Sequence, residues 1–527
     1  MRPLARLGGI AAAFIAIAAG AFAAPQEEAT QVIIVHDAEG RPLPKARLGS
    51  LYLSDVLLNP FACQIDTEDG RAICRNIARE PFAINLRYEV AGFGDVYFVA
   101  DNAGRGYRAG EPINLVYEFA RSRLAHTRKV QTAAKRGGYS LEAKTRERID
   151  KAQAVLDRAR RTRDPEERSR LAYQSLQESA WAGEMALLDK ARFDIKKRGW
   201  RRGFRFGANA FRYGADPKYQ QRFEELLNFG TVPFYTKGFE PKEGEYKWKR
   251  PEDIAGWLNG AGLAAKGHPV LWFYPGTTPD YLKKRPFEEI RQWVYDRTPT
   301  IVEHYAGSID IWDVINEPHV QNVLGFTLDQ MVEITNVVSQ RTREANPEAT
   351  RIVNSCCLWA EYMKGQFGPD VRICSPLEFL ERMRAAKVDY DVLGLQLYYP
   401  SRDLLEISRM IDRFERFGKP VHITELAVPS SAEGDPYSHW KGPNAVRAMG
   451  TWHRPWDQGL QAEWVDGFYT ICYSKPFVEA VTWWDFADYR PGHFFPHGGY
   501  LDHEYVPKQS FFRLKRLTNR WRRMGER

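Results

Sequence analysis

A chain of 527 residues that is 44% apolar and 27% charged can bury more than one core, so two or three domains are expected. The net charge of +8 does not point to nucleic acid. Much of the excess lies in "RSRLAHTRKVQTAAKRGG" and "RARRTR", which read as solvated helix faces, and the amino terminus argues for export.

That terminus carries Arg2 and Arg6, an apolar run "LGGIAAAFIAIAAGAFA", and Ala21 and Ala23 in an A-x-A arrangement before Ala24. This predicts a secretory signal peptide over residues 1–23 and a secreted or periplasmic protein without a membrane span. In an oxidising compartment, Cys63 and Cys74 flank the turn-like "DTEDGRA" and are expected to pair. Cys356, Cys357, Cys374 and Cys472 show neither a pairing pattern nor a zinc spacing.

From 24 to 120, short runs alternate apolar and polar residues ("QVIIVHD", "RAICRNI", "FAINLRYEV", "DVYFVAD", "INLVYEF") between turn formers. The pattern predicts a small all-β sandwich, either a carbohydrate-binding module or a spacer. Residues 121–202 are charged and helical. Asp164 followed by Pro165 supplies an N-cap and a first turn, so a helical linker or hairpin is expected there.

From 203 to 527 the texture changes to eight apolar strand candidates, each followed by a helix: "FRFGANA", "FGTVPFYT", "LAAKGHPVLWF", "IDIWDVINE", "TRIVNSC", "DVLGLQLYY", "KPVHITELAV" and "VEAVTWWDFAD". Continuous apolar strands alternating with helices predict an α/β fold, a (β/α)8 TIM barrel, whose active site gathers at the carboxyl ends of the strands. An open doubly wound sheet is the alternative, and no glycine-rich phosphate loop supports it.

Two carboxylates end such strands. Glu317 closes the fourth and Glu425 lies towards the end of the seventh, so they can flank one bond across the barrel mouth. A carboxylate pair about 5–5.5 Å apart performs retaining glycoside hydrolysis. Either Glu alone could equally be a buried ion pair or a loop cap.

These segments resemble glycoside hydrolase family 10, known for endo-β-1,4-xylanases. "WDVINE" resembles its acid/base strand and "ITEL" its nucleophile strand, with "KGHPVLWFYPGTTPDYL", "GLQLYY", "VTWWDFAD" and "PKEGEYKW" in matching order over roughly 203–527. The resemblance implies Glu317 as acid/base and Glu425 as nucleophile. It further implies substrate contacts from Asn316, Gln396, Tyr398, Trp484, Lys237, His268, Trp272 and Tyr281. No cofactor or metal is required, and the partner is a polysaccharide or oligosaccharide met by a monomer. The function implied is a secreted retaining hydrolase of β-linked plant polysaccharide, endo-β-1,4-xylanase-type. A hydrolase of another β-glycan and a non-catalytic carbohydrate binder are the alternatives.

Departures from the family pattern are also legible. Tyr398 stands where a His is usual, Ala427 where an Asp is usual, and Phe273 where a His is usual. Phe234 and Tyr235 replace a Glu-Asn pair, which predicts a more apolar sugar pocket. The long loop "AVPSSAEGDPYSHWKGPNAVRAMGTWHRPWDQGLQAEW" offers Trp440, Trp452 and Trp456 for sugar stacking. The loop carrying His493, His497 and His503 reads as a lid or subsite loop rather than a metal site.

Overall fold

The computed structural model describes residues 29–320, 322–360, 363, 372–398, 401–441 and 443–525. The leader and its expected cleavage point lie outside the described residues. Among them, no helix is long and apolar enough to cross a membrane.

The alternating runs of the amino-terminal unit form two four-stranded sheets. The first is ordered Gln64–Glu68, Arg71–Arg75, Gln31–Ile34 and Ile113–Asn114, with only the last pairing parallel. The second is ordered Thr451–Trp452, Gly94–Ala100, Phe82–Val90 and Tyr52–Asp55, antiparallel throughout. One of its edge strands, Thr451–Trp452, therefore comes from the distant carboxyl-terminal half. Cys63 and Cys74, expected as a bridge, are free thiols whose side chains hydrogen-bond. Such a contact satisfies both groups without the fixed torsion of a disulfide.

The sandwich ends earlier than residue 120. Only Ile113 and Asn114 of "INLVYEF" join a sheet; Asn114 then caps a helix, Leu115–Arg136, its side chain accepting from the Tyr117 N–H. Leu115, Val116, Phe119, Ala120 and Leu124 form a helical stripe rather than a strand alternation, and all are buried. Within 121–202 the expected helical hairpin forms, packed on the sheets rather than serving as a linker. Two further helices follow, Ala143–Arg161 and Pro165–Arg198, the last capped by Asp164 as expected. All three share one hydrophobic core with the strands, from Ile33 and Ile84 to Leu176 and Ala186. Sheets and helices thus make a single amino-terminal unit.

The eight barrel strands form where expected: Arg205–Asn209, Phe229–Pro233, Ala264–His268, Ile311–Asn316, Thr350–Ser355, Val392–Leu397, Val421–Leu426 and Val478–Trp483. They pair in parallel and close on themselves. Gly267 permits this closure on the third strand, since a Cβ there would lie 2.2 Å from the Trp312 ring. The register shifts between Asp313 and Ile315 on the fourth strand and between Leu395 and Gln396 on the sixth. Such bulges re-aim side chains near functional sites. Here they fall just before Asn316 and, with Thr424 as the extra residue opposite Leu395 and Gln396, just before Glu425.

Candidate active site

Glu317 follows the fourth strand directly and adopts φ 51°, the left-handed region that a residue with a Cβ rarely enters. Its N–H donates to the Asn354 carbonyl on the fifth strand at 2.8 Å, which fixes this turn of the chain. Glu425 lies within the seventh strand and is 5% exposed.

A chain of amides joins the two carboxylates. Asn354 Nδ2 donates to Glu425 Oε1 at 3.0 Å and to Asn316 Oδ1 at 2.8 Å. Gln396 Nε2 donates to the same Asn316 Oδ1 at 3.1 Å and to Glu317 Oε1 at 3.0 Å. With its oxygen doubly occupied, Asn316 has only its Nδ2 donor left to offer a ligand. The Thr424 hydroxyl donates to Asn354 Oδ1 and sets that amide's orientation. Tyr398 Oη donates to Glu425 Oε2 at 2.9 Å. The Trp272 indole donates to Glu317.

Beneath Glu425 lies a buried charge pair inside the barrel. Lys266 Nζ and His268 Nδ1 each lie 2.7 Å from Asp313 Oδ2, and His268 Nε2 lies 3.8 Å from Glu425 Oε1. Burial opposes the Asp313 charge, but Lys266 and His268 outweigh it and hold the carboxyl below its ordinary value. Burial lowers His268, which leaves its ring neutral.

Burial pushes Glu317 up to about 7, against the Gln396 and Trp272 donors. Burial and then the Glu317 charge push Glu425 up to about 8, against Lys266 and the Tyr398 donor. The two carboxyls titrate as a pair and hold one proton between them near neutral pH. When that proton sits on Glu317, its repulsion of Glu425 disappears while Lys266 and Tyr398 still favour the charge. The proton therefore belongs on Glu317 and the charge on Glu425. One buried acid and one buried carboxylate, bridged by amides at the mouth of a barrel, suit proton donation to and nucleophilic attack on the same acetal.

The family model of Glycosyl hydrolase family 10 matches residues 235–516, just over half of the chain. The chain belongs to glycosyl hydrolase family 10. As a family 10 member it is divergent. It is 23% identical over 332 residues to endo-1,4-beta-xylanase B of Thermotoga neapolitana, covering 60% of this chain and 87% of that protein. It is 22% identical over 295 residues to the beta-1,4-xylanase of Dictyoglomus thermophilum, covering 52% and 76%. Among solved structures it resembles native xylanase 10B from Thermotoga maritima, with 20% identity, 64% and 99% coverage and a TM-score of 0.47.

Six of the expected contact residues of this family 10 chain surround the carboxylates. Asn316, Gln396, Tyr398, His268 and Trp272 make the contacts above, and the Trp484 ring stands edge-on to His268, with centroids 5.2 Å apart. Two do not join them. Lys237 is exposed on the rim, where its charge acts on Asp280, and Tyr281 Oη points to the Glu240 carbonyl at 3.4 Å. Lys237 lies in the short helix Thr236–Phe239 after the second strand, and Tyr281 in the long connection between His268 and Phe287. The expected apolar pocket also contracts. Phe234 is fully buried against Phe239, Tyr305 and Trp312, and Phe273 packs on Phe326 in the barrel wall. Only Tyr235 faces the site, with ring centroids 5.7 Å from His268 and 5.9 Å from both Trp272 and Phe211.

The long seventh loop divides. Trp440 is exposed and stands edge-on to Phe494, whereas Trp452 is buried against Glu184 of the amino-terminal unit and Trp456 is buried behind it, its indole donating to the Gly450 carbonyl, so neither is a sugar platform. In the last loop His493 Nε2 lies 2.7 Å from Asp435 Oδ2, and the His497 N–H donates to that same oxygen at 2.8 Å. These contacts stitch the seventh and eighth loops together. Among the described residues, no cluster of His, Cys, Asp and Glu could hold a metal.

Sequence reasoning missed Asn354, Asp313, Lys266, Phe211 and Asp485. Burial pushes Asp485 up to about 6, and it accepts from the Phe494 and Phe495 N–H groups at 2.9 Å. The signal for Asn354 was present in "TRIVNSC": a polar residue ending an apolar strand, the same mark that revealed Glu317.

Proposed function

We propose that this family 10 chain is a retaining endo-β-1,4-xylanase-type hydrolase with Glu317 as acid/base and Glu425 as nucleophile. The observation that carries the reading is the pair of buried carboxylates bridged by Asn354, Asn316 and Gln396, with Tyr398 donating to Glu425. In the first step Glu425 attacks the anomeric carbon while Glu317 gives its proton to the leaving oxygen, forming a glycosyl ester on Glu425. In the second, Glu317 takes a proton from water, the water oxygen attacks the same carbon, and Glu425 leaves as carboxylate. The free Nδ2 end of Asn316 suits the sugar 2-hydroxyl, and Trp484 suits a pyranose face. The xylanase names of the relatives support β-1,4-xylan as substrate. Tyr235 supports a secondary preference for glycans that do not need several hydroxyl contacts on that wall. The amino-terminal apolar run supports export, with a mature chain beginning near Ala24.

The test is hydrolysis of aryl β-xylobioside and soluble xylan, with the anomer of the first product read by NMR. A β-anomer formed first is expected. An α-anomer, or no turnover of any β-xyloside or β-glucoside, would overturn the assignment.

A further inference from the structure

The chain after each of the two strands that carry Tyr398 and Glu425 runs to the amino-terminal unit. Beyond the sixth strand, the Ser401 carbonyl accepts from the Tyr97 N–H at 2.8 Å, and Asp403 receives Arg123 through both terminal nitrogens at 2.9 and 2.7 Å. Beyond the seventh, Thr451 and Trp452 pair with Asp95 and Gly94 as the edge of the second sheet. The fit there is close: a Cβ on Gly94 would lie 2.1 Å from the Thr451 carbonyl oxygen, and one on Gly450 2.5 Å from that of Asp95.

One carboxylate ties both segments. Glu184, buried on the helix Pro165–Arg198, accepts the Leu404 N–H at 2.8 Å and the Trp452 indole N–H at 2.8 Å through Oε1, and its Oε2 lies 2.8 Å from His453 Nε2. Leu404 begins the helix after the sixth strand, six positions beyond Tyr398. No carbohydrate or solvent function is left for a side chain so enclosed. Its three partners all belong to the catalytic half of the chain.

We propose that the amino-terminal unit is a positioning device for the catalytic face, with Glu184 as the positioning residue that holds the sixth-strand segment so that Tyr398 meets Glu425. The inference rests on the glycosidase reading of the site. Glu184 touches neither substrate nor carboxylate pair and acts through Tyr398. Glu425 is faced by Glu317, Lys266, Asp313, His268 and Tyr398. Of these, Tyr398 is the group nearest in the chain to a Glu184 contact, six positions before Leu404, and its ring packs on Phe494 and Phe495 with centroids 4.9 and 6.1 Å away.

The experiment is a double-mutant cycle on aryl β-xylobioside with Glu184→Gln, Tyr398→Phe and both together. Glu184→Gln is expected to lower kcat about tenfold with KM nearly unchanged, and to move the acid limb of the pH profile upward, as Glu425 loses a donor. Tyr398→Phe gives the same direction of shift, and the double variant is no slower than Tyr398→Phe alone. Multiplied effects, or an unchanged pH limb in Glu184→Gln, would overturn the positioning role. Trp452→Phe removes only an indole donor and reads the same limb should Glu184→Gln fail to fold; no limb shift there also overturns it. Inactivity of the unaltered enzyme on every β-glycoside would instead defeat the glycosidase reading itself.

Discussion

The barrel mouth and the seam with the amino-terminal unit both bury carboxylates, and they treat them in opposite ways. At the mouth, Glu317 and Glu425 are surrounded by neutral donors and pushed up to about 7 and 8. At the seam, burial also opposes ionisation, yet Arg409, His126, Arg123 and His453 outweigh it and hold Asp101, Glu184 and Glu406 below their ordinary values. Asp403 is the exception, raised by burial despite Arg123. A site that must accept and release protons is left short of cations. A joint that must stay closed is supplied with them.

The comparison breaks most sharply by removing a mouth carboxylate. Glu425→Ala is expected to cut turnover about 10⁴-fold or more while circular dichroism stays native. Near-normal turnover by that variant would end the mechanism. Glu317→Ala should lose about 10²–10⁴-fold on xylan and far less on aryl glycosides with good leaving groups. Equal losses on both would remove its acid role. Tyr398→Phe should cost about 10–100-fold in kcat/KM, the worth of a hydrogen bond to a charged group. A steady-state comparison with wild type settles it.

Stability sharpens the contrast through sign. The mouth pair of Glu317 and Glu425 titrates at about 7 and about 8 against an ordinary 4.5, so the folded state binds more protons and stability falls as pH rises between those values. Glu425→Gln should therefore raise Tm at pH 8.5 by about 2 °C or more and change it little at pH 4. Glu184 lies below its ordinary 4.5, so its contribution is present above that pH and is lost as pH falls through the folded pKa. Glu184→Gln should lower Tm at pH 8.5, with a shrinking effect in acid. Thermal scans in which both variants shift in the same direction at pH 8.5 would show the two regions to be electrostatically alike. The smallest effect belongs to the rim: Lys237→Ala should change kcat/KM less than about threefold, as for an exposed side chain with weak charge contacts. A larger loss would return Lys237 to the substrate site.

The barrel was legible because its strands are buried on both faces and read as unbroken apolar runs. Glu317 and Glu425 were legible because two carboxylates at the ends of opposed strands can flank one bond, although either alone reads equally as an ion pair or a loop cap. What failed was direction rather than position. Phe234 and Phe273 occupy the motif places that were read, but local packing against Trp312 and Phe326 turns them inward. Trp452 lies on the expected loop, yet its indole donates to Glu184, 268 residues upstream and beyond any local pattern. Leu115–Leu124 shows the remaining weakness: a short apolar cluster fits a strand or a helix until the cap at Asn114 is recognised.

The two-residue strand Thr451–Trp452 sets a limit on trimming this enzyme to its catalytic core. A barrel excised at residue 203 keeps the strand but forfeits the sheet edge that covers it, and Asp403 and Glu406 lose Arg123 while Arg409 loses Asp101. Removing one partner of a buried ion pair costs about 3–5 kcal/mol. The excised barrel would expose a raw sheet edge and stranded charges together, the combination that leads to aggregation. In this chain the boundary of the catalytic domain in sequence is not a boundary at which the protein can be cut.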